Sequence, residues 1–328
     1  MCRTLAKFDI NELEKAIRSS GSFLLNINKN DIALSWRVSP KRTRSYPYAR
    51  IYDTLGFAGK KITIIPFMKD EGKDGDRDFI QWDTISLMSL LGIYVIIAYY
   101  KNASKNEQYD NKITAQQFDY TYIKCKVIEI LSFQSDSLHW NIQQIAKIDE
   151  PASLAISNYM ELSYLLKVSM HSYDLAKKRI DKIKADKSKF MLFSRILAEK
   201  AQKREATTIQ PKENIGKTKG TITINNYLGG FYFFTSDEIR KEKDIIYLVE
   251  CKHSIRGSLP ALEDIKDGLL KMVLFSNIKY IIFRNKSYKS TAVLHLSSLL
   301  ENKKESSKDL IKQIKAEANI NDFIFECE

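Results

Sequence analysis

Ile245-Ile246-Tyr247-Leu248-Val249-Glu250-Cys251-Lys252-His253-Ser254 is the stretch on which the reading of this chain turns. Its five leading apolar residues are mostly β-branched or aromatic, and the run is short, which marks a buried strand. Side chains alternate along a strand, so Glu250 and Lys252 share one face while Cys251 and His253 share the other. Carboxylates and ammonium groups are rarely buried unless they are paired or bound to something such as a metal. The pair is therefore either a salt bridge at a strand end or a reactive pair held where the strand leaves the core.

The flanking sequence extends the pattern. Gly230-Phe231-Tyr232-Phe233-Phe234-Thr235 reads as a preceding strand, joined to the first by the polar segment Ser236 to Asp244. After a short loop with Gly257 and Pro260, the apolar positions Leu262, Ile265, Leu269, Leu270, Val273 and Leu274 recur at helical spacing. Lys279-Tyr280-Ile281-Ile282-Phe283 then reads as a short buried strand. This order of strand, hairpin, strand with Glu-x-Lys, helix and strand resembles the core of the PD-(D/E)XK nuclease superfamily over roughly residues 195 to 285. Together with the basic charge, it looks most like a type II restriction endonuclease. The resemblance implies an α/β fold with a mixed sheet flanked by helices in the C-terminal half, and Mg²⁺ as cofactor. It also implies double-stranded DNA as substrate, and a cognate DNA methyltransferase that protects the host.

The chemistry explains the residue types. Hydrolysing a phosphodiester requires water to be delivered to an anion and extra negative charge to be stabilised, which hard oxygen ligands achieve by holding a divalent metal against the phosphate. Glu250 is then a metal ligand. Lys252 orients or helps deprotonate the attacking water and offsets charge in the transition state. Cys251 reads as a small core residue.

In the family a second carboxylate sits on the strand before Glu-x-Lys. Asp237 is the nearest upstream acid, with Glu238 and Asp244 beside it. A hairpin turning near residue 240 instead places residues 228 to 232 opposite Glu250 and Lys252, and that stretch holds no acid; Asn225 and Asn226 lie just before it. Asp237 in a bent strand, a carboxylate from elsewhere, and a degenerate site all stay open, with Asp237 favoured. Some family members add a Glu from the helix before the hairpin, and Glu199 or Glu205 stands in that part of the chain, each also readable as part of a solvated helix face.

The first 130 residues read as mixed α/β, with strands at Ser22 to Ile27, Ala33 to Val38, Lys61 to Phe67 and Ile93 to Tyr100, and a helix from Phe79 to Leu91. Between strands, cations alternate with tyrosines and prolines from Pro40 to Arg50. Lys41, Arg42, Arg44 and Arg50 are candidate DNA contacts, since cations neutralise phosphates and Arg reads guanine edges; a plain solvated loop is the other reading. The acidic run Lys69 to Asp78 lacks the spacing of an EF-hand and reads as a turn leading into a helix cap, with Asp76 and Asp83 as a second place for chemistry. The middle is helical and lysine-rich, including Lys177, Lys178, Arg179 and Lys182, and no internal repeat is visible.

This organisation predicts a DNA-recognising region over 1–150, a helical connector over 151–210, and a catalytic core over 211–328. A formal charge of +12 on 328 residues fits a polyanionic partner. The four widely spaced cysteines indicate neither a zinc site nor a disulfide framework. No apolar stretch is long enough to span a membrane, and no signal-peptide core precedes the first strands, so a cytoplasmic enzyme is expected. A palindromic site would be met by a homodimer. The alternatives are a non-catalytic DNA-binding protein on a degenerate nuclease fold, or a structure-specific repair nuclease.

Overall fold

The computed structural model describes residues 4–40, 45–184, 220–226, 230–255, 259–298 and 305–328. It is mixed α/β, built around two five-stranded sheets. The first contains β1 (Lys7–Asp9), β2 (Ser22–Ile27), β3 (Asn30–Trp36), β4 (Lys61–Pro66) and β7 (Tyr94–Ala98), in the order β1-β2-β3-β4-β7. Helices α1 (Leu13–Ser19), α2 (Ser45–Leu55) and α3 (Trp82–Leu90) connect them, and the small hairpin β5 (Met68–Asp70)–β6 (Arg77–Phe79) precedes α3. β3, β4 and β7 run parallel, and β4 and β7 are buried along almost their whole length, as a sheet covered on both faces requires.

A second hairpin, β8 (Tyr100–Lys105) and β9 (Ile113–Phe118), leads into the helical middle. That middle comprises α4 (Tyr120–Ser132), α5 (Ser137–Ala146), α6 (Asp149–Leu166) and α7 (Tyr173–Lys184). Lys177, Lys178 and Lys182 of α7 are solvent-exposed, while Ala176, Ile180 and Ile183 face the core and the partly buried Arg179 stacks over Phe79 at 4.4 Å. Among the described residues no helix is long and apolar enough to cross a membrane.

Beyond the paired strands β10 (Gly220–Asn226) and β11 (Gly230–Ser236) lies the second sheet. It is built from β12 (Glu238–Glu242), β13 (Ile245–Ser254), β14 (Tyr280–Phe283), β15 (Lys286–Ser298) and β16 (Ile324–Cys327), with α8 (Leu262–Ser276) and α9 (Glu305–Asn321) as connections. β12 and β13 form an antiparallel hairpin, β13 and β15 are parallel, and β15 pairs with β16 in parallel at one end and with β14 at the other.

Three local expectations are corrected. The polar segment after Ser236 is not a turn but strand β12; Glu242 pairs with Ile245, so the hairpin turns at Lys243-Asp244 rather than near 240, with Lys243 in the left-handed region at φ 50°. The apolar strand Tyr280–Phe283 is an exposed edge, with Tyr280 67% and Ile282 78% accessible. The buried neighbour of β13 is β15, whose polar start Lys286-Ser287 hides a fully covered run from Ala292 to Leu296. Of the stretch Pro40 to Arg50, for which a solvated loop was one reading, the residues from Ser45 onward belong to helix α2: Tyr48, Ile51, Tyr52 and Leu55 recur at helical spacing, and Pro47 falls in the first turn, where it is tolerated.

Leaving aside the small hairpin β5–β6 in the first and the edge strand β14 in the second, the two sheets share one connectivity: β2-β3-α2-β4-α3-β7 and β12-β13-α8-β15-α9-β16 each run as an antiparallel hairpin, a crossover helix, a parallel strand, a second helix and another parallel strand. The equivalent helices α2 and α8 pack on each other, joining both sheets through one apolar core. At that contact Lys266 of α8 reaches Asp53 of α2 at 2.5 Å, and both side chains are over 90% buried (6% and 7% accessible). Removing one partner of such a pair strands the other charge, so Asp53→Ala is expected to cost about 3–5 kcal/mol in urea unfolding. Asp53→Leu combined with Lys266→Met should recover most of that loss.

Candidate functional site

β13 is buried as it passes Leu248 and Val249 and ends at the mouth of the sheet, so the charged face that follows is set down where the core meets solvent. Glu250 is 1% accessible. Its two oxygens are divided between two cations: Oε1 accepts from Lys252 at 2.9 Å and Oε2 from Lys271 of α8 at 2.6 Å. Lys252 bridges onward to Asp267 of the same helix at 2.5 Å. Asp267 and Lys271 are four residues apart and so lie on one face of α8, which turns that face to β13.

α8 comes this close because of Gly268. A Cβ there would stand 2.8 Å from Leu294 Cδ1 and 3.4 Å from Lys252 Cε, so the helix and the lysine stem use the space that any side chain would take. Glycine inside a helix costs about 1 kcal/mol relative to alanine. The close approach of helix to sheet offsets that cost.

Asp237 is the link between β11 and β12, in a bent strand. Ser236 pins the bend, its buried hydroxyl lying 2.7 Å from the Glu238 carbonyl and 2.9 Å from that of Val249. Glu238 pairs with Val249, and one further step of that register sets Asp237 across from Glu250. The Asp237 Oδ2 accepts the Cys251 backbone N–H at 3.0 Å. The expected partner of Glu250 shifts from near residue 230 to Asp237, because the turn lies about three residues later than spacing alone suggested.

The electrostatics follow from this crowding. Burial alone would push the Glu250 carboxyl up, but Lys271 and Lys252 outweigh it and hold Glu250 below the usual carboxylate range. Burial likewise opposes the charge on Lys252, yet Glu250 and Asp267 win and raise it above the ordinary lysine value. Lys252 is a fixed ammonium; it orients and neutralises rather than taking up a proton. Asp237 is pushed up to about 6, first by burial and then by the negative charge of Glu250.

Asp237 and Glu250 feel each other's charge and share Lys271 as a counter-cation; carboxylate oxygens are the hard donors that suit Mg²⁺, an ion commonly held by one or two carboxylates plus water and phosphate. Among the described residues no group of three or more His, Cys, Asp or Glu is placed to hold a metal. Glu199 and Glu205 lie outside the described residues, as do Lys41, Arg42 and Arg44. Arg50 is described and half-buried. Its guanidinium stacks over Trp36 (4.5 Å) and Tyr46 (4.8 Å) and donates to the Trp36 carbonyl at 2.8 Å. His253 meets the Ser297 hydroxyl at 3.0 Å.

The acidic run of the N-terminal half is engaged with protein partners. Asp70, 3% accessible, contacts His171 Nδ1 at 2.7 Å and accepts the Gly72 N–H at 2.9 Å. Glu71 pairs with Lys69, Asp74 accepts from Asn111 N–H at 2.9 Å, and Asp78 from Ser39 at 3.1 Å. These carboxylates tie the β5–β6 hairpin to its surroundings. Sequence reasoning missed Asp267 and Lys271. The signal was present as the i, i+4 pair on the helix after Glu-x-Lys, but its apolar stripe drew the reading.

No family model matches the chain, and neither the curated proteins nor the solved structures contain a match.

The raised Asp237 makes a pH-dependent expectation. With its folded pKa near 6 and its unfolded value near the ordinary 3.8, the folded state holds the proton more tightly, so this group's contribution to stability falls as pH rises from about 4 to about 6. Asp237→Asn keeps the acceptor for Cys251 and removes the charge. The variant should melt at higher temperature than the parent at pH 7.5 and at an equal temperature near pH 4, by scanning calorimetry.

Proposed function

We propose that this chain is a Mg²⁺-dependent endonuclease of the PD-(D/E)XK type, most like a type II restriction enzyme acting on double-stranded DNA. The observation that carries the reading is the placement of Asp237 across from Glu250, beside Lys252, on a hairpin followed by a crossover helix and a parallel strand. The non-catalytic alternative drew its force from the lack of an acid opposite Glu250, and Asp237, one step along the β12–β13 register, supports the catalytic reading over it.

Asp237 and Glu250 would hold the Mg²⁺, which when bound supplies Lewis-acid polarisation of the phosphate and an acidified water. The protein's own groups do the rest. Lys252, kept protonated by Glu250 and Asp267, offsets the charge that grows on the phosphoryl oxygens. In the step, the water oxygen bonds to phosphorus and the bond from phosphorus to the leaving sugar oxygen breaks. The water's proton passes to solvent, and a proton from solvent neutralises the leaving oxygen. Asp267 fixes the Lys252 rotamer, and Lys271 keeps the two carboxylates close despite their repulsion.

The test is incubation of the purified chain with unmethylated phage DNA, with and without Mg²⁺, beside Asp237→Asn and Lys252→Met. Discrete fragments that require Mg²⁺ are expected, with rates falling about 100-fold or more in both variants while a DNA gel shift persists. Intact DNA under all conditions contradicts hydrolysis. Fragments formed only at branched or flapped DNA would assign the same chemistry to a structure-specific nuclease.

A further inference from the structure

The repeated connectivity can be followed residue by residue from the hairpin turns. Ile27 pairs with Asn30 at the first turn, and Glu242 with Ile245 at the second. Counting the same number of residues from each turn, Asp237 corresponds to Ser22, Glu250 to Ser35, and Lys252 to Arg37. Ser22 and Ser35 are registered partners across β2 and β3, as Asp237 and Glu250 are by extension across β12 and β13.

The faces correspond as well. The Ser22 hydroxyl meets Asp53 of α2 at 3.4 Å, and the Arg37 guanidinium lies 5.5 Å from the Tyr48 ring of α2, so this face carries the crossover helix. The Glu250-Lys252 face carries α8 in the same way. The first unit thus has the layout of the second without its acids, and Ser35 and Arg37 are buried at 1% and 0% accessibility. Two adjacent residues of α8 serve the two places: Lys266 reaches Asp53 beside Ser22, and Asp267 reaches Lys252.

When two like units join through equivalent elements, the arrangement resembles that of a two-fold dimer. We infer that one chain is a built-in pseudo-dimer, in which the N-terminal unit takes the place of a second subunit and only the C-terminal unit hydrolyses DNA. The inference rests on the nuclease reading of the Asp237-Glu250-Lys252 site. Its consequence is that one bound chain breaks one phosphodiester, and a double-strand break takes a second, separate event. In this reading the homodimer expected for a palindrome is replaced by the contact of α8 with α2 inside one chain.

The test uses the full-length chain and supercoiled unmethylated plasmid with Mg²⁺. Sedimentation should give the mass of one chain, and open circles should accumulate before linear DNA. Adding an excess of the Lys252→Met variant should lower the overall rate only through competition for DNA, leaving the ratio of open circles to linear DNA unchanged. A two-chain mass, direct linearisation, or a shift toward open circles on mixing overturns the pseudo-dimer while leaving the nuclease reading intact. Absence of any Mg²⁺-dependent strand breakage overturns both.

Discussion

A glutamate with 1% accessibility is held between two ammonium groups, and the joint between β13 and α8 is organised around it. Removing a carboxylate from water is costly, and Lys252 and Lys271 offset that cost with contacts below 3 Å. The lysines are in turn anchored: Lys252 by Asp267, Lys271 by the attraction of Asp237 as well as Glu250. The α8 backbone must lie close for this to happen, which is why Gly268 stands between them. Neutralising the charges also leaves Asp237 as the one carboxylate of the pair with an elevated pKa, pushed up to about 6.

What the sequence shows of this arrangement follows from periodicity. The strand through Ile245–Val249 and the common face of Glu250 and Lys252 depend only on alternation, and both are present. The turn at Lys243-Asp244 was not legible, because Glu238-Ile239-Arg240-Lys241-Glu242 is polar enough to resemble a loop; it is an outer strand of the sheet, and such strands tolerate charge. That misplaced turn moved the expected partner of Glu250 by several residues and made the site look acid-poor. β15 was masked for a related reason, since its first half is polar and only its second half is covered. Lys271 and Asp267 were out of reach of strand arguments altogether, because their role depends on which face of α8 meets β13.

The repeated connectivity was also invisible in the sequence, and the physics says why. What the units share is the order and direction of elements, which many apolar patterns satisfy, while the residues at matching places differ. Ser22, Ser35 and Arg37 stand where Asp237, Glu250 and Lys252 stand in the other unit. The contact between α2 and α8 has its own requirement, the buried Asp53–Lys266 pair, and this ties the acid-free unit to the helix that also supplies Asp267 and Lys271.

The central claim is that Asp237 and Glu250 together form a divalent-cation site. Calorimetric titration of Mn²⁺ into the parent chain and into Asp237→Asn at pH 7.5 tests it most directly, since it reads binding without DNA or turnover. The account expects binding to the parent that weakens as pH falls below about 6, where Asp237 takes up its proton, and that is lost in the variant. Equal binding by both proteins, with no pH dependence in that range, would contradict it.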